Sequence, residues 1–294
     1  MQRLELLKRK LRSADELHSI VQSMKVITAV GIRQFENAAE SLDTYFETIE
    51  YSLQILLSQS LDNVFPLPAE EGQTGMVVFG SGQGLCGTFD EIISDHTAHY
   101  LTENEINHPQ IFVFGDRLSG YLTRHHLNIG RLFELPGTVG GINNTVADLL
   151  PALEQWQNAD GVRTIILFYN KLTKTNHLVP QTHQLLPLDP HWLKELTERS
   201  WPTNNIPQFG MEPKELFSML IRQYLFVSLY RAVANSLAAE YSSRLNSMQS
   251  AEQKIQDWQQ KLQNEYRQQR QNAITEELLD IMAGFEVVRE KNRA

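Results

Sequence analysis

The stretch that decides the fold is residues 214–266, KELFSMLIRQYLFVSLYRAVANSLAAEYSSRLNSMQSAEQKIQDWQQKLQNEY. Its apolar or small residues recur at Leu216, Leu220, Tyr224, Val227, Tyr230, Ala234, Leu237, Tyr241, Leu245, Met248, Ala251, Ile255, Trp258, Leu262 and Tyr266. The steps are threes and fours throughout, which places one seam on a helix. From 214 to 294 there is no proline, and Gly284 is the single glycine. Proline costs a helix interior about 3 kcal/mol and glycine about 1 kcal/mol, so the segment reads as one very long helix. So narrow a stripe does not stabilise a helix by itself; it calls for a coiled-coil partner.

The partner stands at the other end of the chain. Residues 1–65 hold no proline and only Gly31. Apolar positions run Leu4, Leu7, Leu11, Ala14, Leu17, Ile20, Met24 and Ile27, then resume from Phe35 through Leu42, Ile49 and Leu56. At 1.5 Å per residue each helix is about 85–115 Å long. The expected arrangement packs the two antiparallel, with the rest of the chain inserted between them. The competing arrangement, several shorter core helices, needs loops built without proline or glycine.

All 11 prolines lie between Pro66 and Pro213, and 14 of the 16 glycines between Gly72 and Gly210. Turn chemistry is thus concentrated in the middle. The chain divides into an N-terminal coiled-coil helix (1–65), an inserted α/β domain with a linker (66–213) and a C-terminal coiled-coil helix (214–294). Short apolar runs at 75–80, 111–115 and 164–169 read as buried strands, and 183–188 as a last one. Helices are expected at 88–101, 116–126 and 143–156, and the alternation implies a largely parallel, Rossmann-like sheet. Residues 189–213 read as an irregular linker. The expected class is therefore α plus α/β.

Chemistry is sparse. Gly82-Gln-Gly84-Leu-Cys-Gly87 follows the first strand and fits G-x-G-x-x-G. It reads either as a structural strand-to-helix turn or as a dinucleotide site. The acidic residue expected about 20 positions on is ambiguous among Glu103, Glu105 and Asp116. The nine histidines are scattered, without acids or cysteine at metal-ligand spacing, and read as surface residues; no metal or cofactor is expected. Cys86, the one cysteine, excludes an internal disulfide and reads as a small buried residue. No phosphate-binding G-x-x-x-x-G-K-[ST] loop occurs. The first 16 residues lack the apolar core of a signal peptide, and no run of about 18 apolar residues occurs to span a membrane. A net charge of −9 argues against nucleic-acid binding. That charge is uneven: residues 1–33 carry seven bases and three acids, whereas 34–65 carry six acids and no base. A basic helix tip of this kind suits an acidic partner.

Three separated segments resemble the γ subunit of F-type ATP synthases. They are Leu7-Lys-Arg-Lys-Leu-Arg-Ser13 continuing through Ser23-Met-Lys-Val-Ile27; Gly84-Leu-Cys-Gly-Thr-Phe89; and the C-terminal helix with Glu240, Arg244, Met248, Ala251, Leu262, Tyr266, Arg270, Gln271, Ile274, Thr275, Glu277 and Gly284. The chain departs from that pattern at Gly31, where a lysine is usual, at Gly82-Gln83 in place of Asp-Arg, at Thr88 and Asp90, and at Lys254-Ile255. It resembles a divergent member, of the standard or an alternative ATP synthase lineage.

The resemblance implies a non-catalytic rotor shaft on the cytoplasmic or equivalent face of an energy-transducing membrane. Its implied partners are the α and β subunits around the coiled coil, and the ε subunit and the membrane c-ring at the foot. Met24, Lys25, Arg244, Arg270, Gln271, Thr275 and Glu277 are the implied contacts to the α/β ring. Phe209, Met211 and Glu212 are the implied contacts to the c-ring. The other function classes the residues allow are a dinucleotide-dependent enzyme and a coiled-coil scaffold unrelated to ATP synthase.

Overall fold

A computed structural model describes residues 2–59, 72–173, 175, 177–201, 205 and 207–291. The end expected for the first helix, 60–65, lies outside these. The elements run α1 (Gln2–Glu40), α2 (Asp43–Gln59), β1 (Gln73–Phe79), α3 (Phe89–Glu103), β2 (Gln110–Phe114), α4 (Asp116–Arg124), β3 (Arg131–Phe133), α5 (Val139–Asn158), β4 (Val162–Leu172), β5 (Leu178–Leu186), α6 (Pro190–Glu198) and α7 (Pro213–Lys291). They form two compact units, Met1–Ile27 with Asn246–Ala294, and Thr28–Leu245.

The larger unit is built on a five-stranded sheet of order β3-β2-β1-β4-β5. β1 pairs in parallel with β2 and β4, β2 with β3, and β5 closes the edge antiparallel to β4. Side chains alternate across the sheet. Val77, Phe79, Phe112, Phe114, Ile165 and Leu167 face a core shared with α5 and α7. Met76, Val78, Ile111, Val113, Ile166 and Phe168 face a second core under α3 and α4. Both faces are covered, so the central strands are apolar without a break.

Within this unit α7 departs from the single-seam expectation. Val227, Leu229, Tyr230, Ala232, Val233, Ala234, Leu237, Ala238 and Ala239 are all buried. A helix apolar all round is one enclosed on all sides. The first long helix also differs from expectation, because α1 ends at Glu40 and α2 starts at Asp43. The break needs neither proline nor glycine. Ser41 turns its hydroxyl back to the carbonyl of Ala38 at 2.9 Å, a local bond that competes with helix continuation. Asp43 then opens α2, where an acid meets the positive end of the helix dipole, and it pairs with Arg231 at 3.1 Å.

Two further elements depart from expectation. The linker contains α6, capped by the Asp189 carboxylate accepting the His191 N–H at 2.8 Å, with Pro190 in its first turn. The last strand starts at Leu178 rather than 183; it tolerates Pro180 because it lies at the sheet edge.

In the smaller unit the two helix segments run antiparallel. Asp15 accepts from Gln259 at 2.8 Å, His18 meets Gln256 at 3.3 Å, and Lys25 pairs with Glu252 at 2.5 Å. The α1 seam runs through Leu4, Leu7, Leu11, Ala14, His18, Val21 and Lys25. Beyond Ala14 this differs from the apolar stripe read in the sequence: Leu17, Ile20 and Ile27 are exposed. His18 and Lys25 hold seam positions because each finds a polar partner across the interface. On α7 the seam includes Met248, Ile255, Gln259, Leu262 and Tyr266, whereas Trp258 points outward at 41% exposure.

Candidate functional site

Strand order reverses beside β1, whose neighbours on either side are β2 and β4. Doubly wound folds take ligands in the crevice at the carboxyl ends of the strands at such a point. The glycine turn, residues 80–88, leaves β1 at that crevice and opens α3. Leu85 and Gly87 take left-handed φ values of 68° and 59°, so the chain reverses tightly there. Gly115, at the end of β2, comes so close that a Cβ would lie 2.3 Å from the Ser81 carbonyl oxygen; only glycine fits.

The crevice is filled by α7. The Glu240 carboxylate accepts the backbone N–H groups of Gly82 at 3.1 Å and Gln83 at 3.4 Å. These are the kind of amides that a dinucleotide fold turns toward a pyrophosphate. One turn further along α7, Arg244 bonds to Glu240 and donates to the carbonyls of Gln83 and Gly84, both at 3.3 Å. Between them Ser243 donates to the Cys86 carbonyl at 2.6 Å. From the α3 side, Asp90 accepts the N–H and the hydroxyl of Ser81, each at 2.7 Å. The turn is thus held by donors and acceptors on two helices.

Burial sets the electrostatics. It pushes the Glu240 carboxyl up, a rise that Arg244 and the Gly82 and Gln83 amides partly offset. Burial pulls the Arg244 guanidinium down, but the charges of Glu240 and Cys86 and its hydrogen bonds to both together hold it above its usual range. The Cys86 thiol is pushed up to about 11, first by burial and then by the Glu240 charge. A thiol so placed is a buried structural residue and not a nucleophile. The G-x-G-x-x-G match is therefore a structural turn whose anion is supplied by the chain itself.

The side chains singled out in the sequence lie in different surroundings. Arg244 is 3% exposed and spends its donors on the glycine turn. Lys25 is engaged with Glu252, which also lies 3.7 Å from His18. Met24 is half-buried, on the outer side of α1 with Leu17, Ile20 and Ile27. Arg270, Gln271, Thr275 and Glu277 are all exposed, and the Thr275 hydroxyl donates back to the Gln271 carbonyl at 2.9 Å. From Ile274 to Ala283 every residue is exposed, including Leu278, Leu279, Ile281 and Met282. The apolar seam that reaches Tyr266 therefore does not extend to Ile274. Phe209 is half-buried, while Met211 and Glu212 are exposed just ahead of α7.

Ser81, Asp90 and Ser243 were not visible as a group in the sequence. The available signal was Glu240 and Arg244 themselves, an acid and a base one helical turn apart within the apolar stretch Ala232–Leu245. His96 and His99, also a turn apart, serve different neighbours: His96 meets Thr182 at 2.8 Å and His99 meets Glu103 at 3.1 Å. Among the described residues no group of three His, Cys, Asp or Glu could hold a metal ion, and no helix is long and apolar enough to cross a membrane.

Comparison with known proteins places these features. The family described as ATP synthase matches residues 3–288. The ATP synthase gamma chain of Acetivibrio thermocellus is 23% identical over 98% of this chain and 100% of its own length. That of Sulfurovum sp. is 24% identical over 97% of this chain and 99% of its own. Among solved structures, the Euglena gracilis mitochondrial ATP synthase rotor in rotational state 1 matches with a TM-score of 0.62 at 17% identity, covering 93% of this chain and 99% of that one. The OSCP/F1/c-ring assembly of the same enzyme in rotational state 3 gives 0.67 at 16% identity, covering 100% and 97%. At these identities the structures share the fold.

Proposed function

The chain belongs to the ATP synthase family, and on that premise we propose that it is the γ subunit, the central rotor shaft that couples c-ring rotation to the conformational cycle of the catalytic β subunits. Catalysis then resides on β, and this chain is peripheral to the energy-transducing membrane through the c-ring and the ε subunit. The observation that carries the reading is the end of α7. A helix that keeps Ile274, Leu278, Leu279, Ile281 and Met282 exposed presents an apolar surface made to be enclosed by a partner. A ring of α and β subunits fits that need.

The contacts proposed for the ring are Met24 with its outward apolar neighbours, and Arg270, Gln271, Thr275 and Glu277. Lys25 reaches the ring from its ion pair with Glu252. Arg244, with no free face, is assigned to the glycine turn instead. Phe209, Met211 and Glu212 are proposed to face the c-ring. The coupling follows from differential contact: a shaft that touches the three β subunits unequally shifts their states by the difference in interaction energy, and equal contacts would shift nothing.

The test mixes the purified chain with α and β subunits and follows ATP hydrolysis. Steady turnover is expected only from the mixture. Hydrolysis by the highly purified chain alone, abolished by mutation within it, would refute the reading.

A further inference from the structure

The packing of α7 on the sheet and the grip of α7 on the glycine turn are physically different contacts. Val227, Tyr230, Val233 and Leu237 join α7 to the apolar core. Apolar burial is non-directional; it holds the helix against the sheet but resists rolling or sliding only through shape. The grip is directional. Glu240, Ser243 and Arg244 are spaced i, i+3, i+4 and so share one face of α7. From that face they take hold of both the N–H groups and the carbonyls of one short turn, at residues 82, 83, 84 and 86.

Charge-assisted bonds of this kind weaken steeply with misalignment. A rotation of α7 about its axis, or a slide along it, strains all of them together. The turn cannot simply follow the helix, because Asp90 ties Ser81 to α3 and Gly115 blocks Ser81 from the β2 side. The Arg244 guanidinium also lies over the Tyr241 ring, 5.1 Å from its centroid. That ring rests on α1 at Gly31. One set of contacts therefore links the sheet, α3, α7 and α1.

We propose that Glu240 is a positioning residue of the rotor: with Ser243 and Arg244 it locks the rotational setting of α7 on the α/β domain, so that torque passes between them without slip. The proposal rests on the rotor-shaft reading and adds the residues through which the load is carried. It also explains the fate of the crevice, because a fold that ordinarily takes a ligand anion there here takes a carboxylate from its own α7.

The experiment uses complete ATP synthase carrying the wild-type chain, Glu240→Ala, Glu240→Gln or Ser243→Ala, reconstituted in vesicles. Two quantities are read: ATP-driven ion uptake per ATP hydrolysed, followed for both protons and sodium, and hydrogen exchange at the Gly82 and Gln83 amides. Glu240→Ala is expected to speed exchange at both amides and to lose uptake while hydrolysis continues. Glu240→Gln, which keeps an acceptor but loses the charge, is expected to fall between it and wild type.

Faster exchange with an unchanged uptake-to-hydrolysis ratio would overturn the proposal, as would exchange no faster than in wild type. If Glu240→Ala does not assemble, Glu240→Gln and Ser243→Ala keep the volume of the site nearly intact and carry the same comparison; an unchanged ratio in both overturns it. A wild-type complex that hydrolyses ATP without moving either ion would instead overturn the rotor-shaft reading.

Discussion

Gly31→Ala should destabilise the chain, although an alanine in mid-helix ordinarily stabilises. Alanine is favoured over glycine inside a helix by about 0.5–1 kcal/mol. Here a Cβ on residue 31 would lie 2.4 Å from both Cδ1 and Cε1 of Tyr241, well inside contact distance, so the ring must move. Its surroundings oppose that. Tyr241 stands edge-on to Phe35, with centroids 5.1 Å apart and planes at 64°, and Phe35 is buried. Its other neighbour is the Arg244 guanidinium, itself bound to the glycine turn.

Forcing a methyl into such packing costs about 1–3 kcal/mol, and displacing the ring forfeits part of an aromatic contact of about 0.5–1.5 kcal/mol. Set against the helix gain, the midpoints of those ranges leave a net loss of about 2 kcal/mol. For chains of 150–250 residues each kcal/mol moves Tm by about 2–4 °C. The assay is thermal unfolding of the purified chain followed by circular dichroism, with a double-mutant cycle. In a Tyr241→Ala background the obstacle is gone, and Gly31→Ala should turn stabilising by about 0.5–1 kcal/mol. A stabilised Gly31→Ala single variant would refute the reasoning, because the position would then be ordinary exposed helix.

Arg270→Ala combined with Gln271→Ala should leave the chain as helical as wild type, since both side chains are exposed. In the assembled complex it should slow ATP-driven turnover: if the pair makes the proposed contact, losing one charged hydrogen bond to β would cost about 1.5–3 kcal/mol in the rotary state that makes it. Unchanged turnover in a fully assembled complex would remove the pair from the contact set. Acid should destabilise the larger unit through His183. Burial, reinforced by Arg231, holds its imidazole below the ordinary value of 6.5, so the unfolded chain binds the proton more readily. This contribution is complete above that unfolded value and is lost as pH falls through the folded one. His183→Gln should flatten the decline in Tm between about pH 7 and pH 5.5, and an unaltered slope would count against the assignment. Cys86, pushed up to about 11, should resist iodoacetamide in the native chain at pH 8 and react in denaturant. Rapid native alkylation would mean that the turn opens.

What the sequence determined by itself was everything written in local periodicity and local turn chemistry. The proline-free, nearly glycine-free ends produced the long helices α1 and α7, and the apolar runs bounded by glycines produced β1, β2 and β4, because strand and helix periods leave their mark on neighbouring residues. The glycine turn was legible as a turn. Three-residue β3 was not, for it is too short to show alternation, and the Asp189-Pro190 start of α6, an N-cap acid followed by proline, opens a helix too short to stand out from a stretch that reads as linker. Tertiary structure decided the rest. A polar residue joins a coiled-coil seam only if the facing helix supplies a partner, so His18 and Lys25 could be placed on the seam only once Gln256 and Glu252 were known to face them. Past the break at Ser41–Leu42, the partner of Asp43 is Arg231, far along the chain. Glu240 shows the same principle at the site: its meaning lies in amides about 160 residues away in the chain, and the amides of a turn are identical in every sequence until folding brings a carboxylate to them.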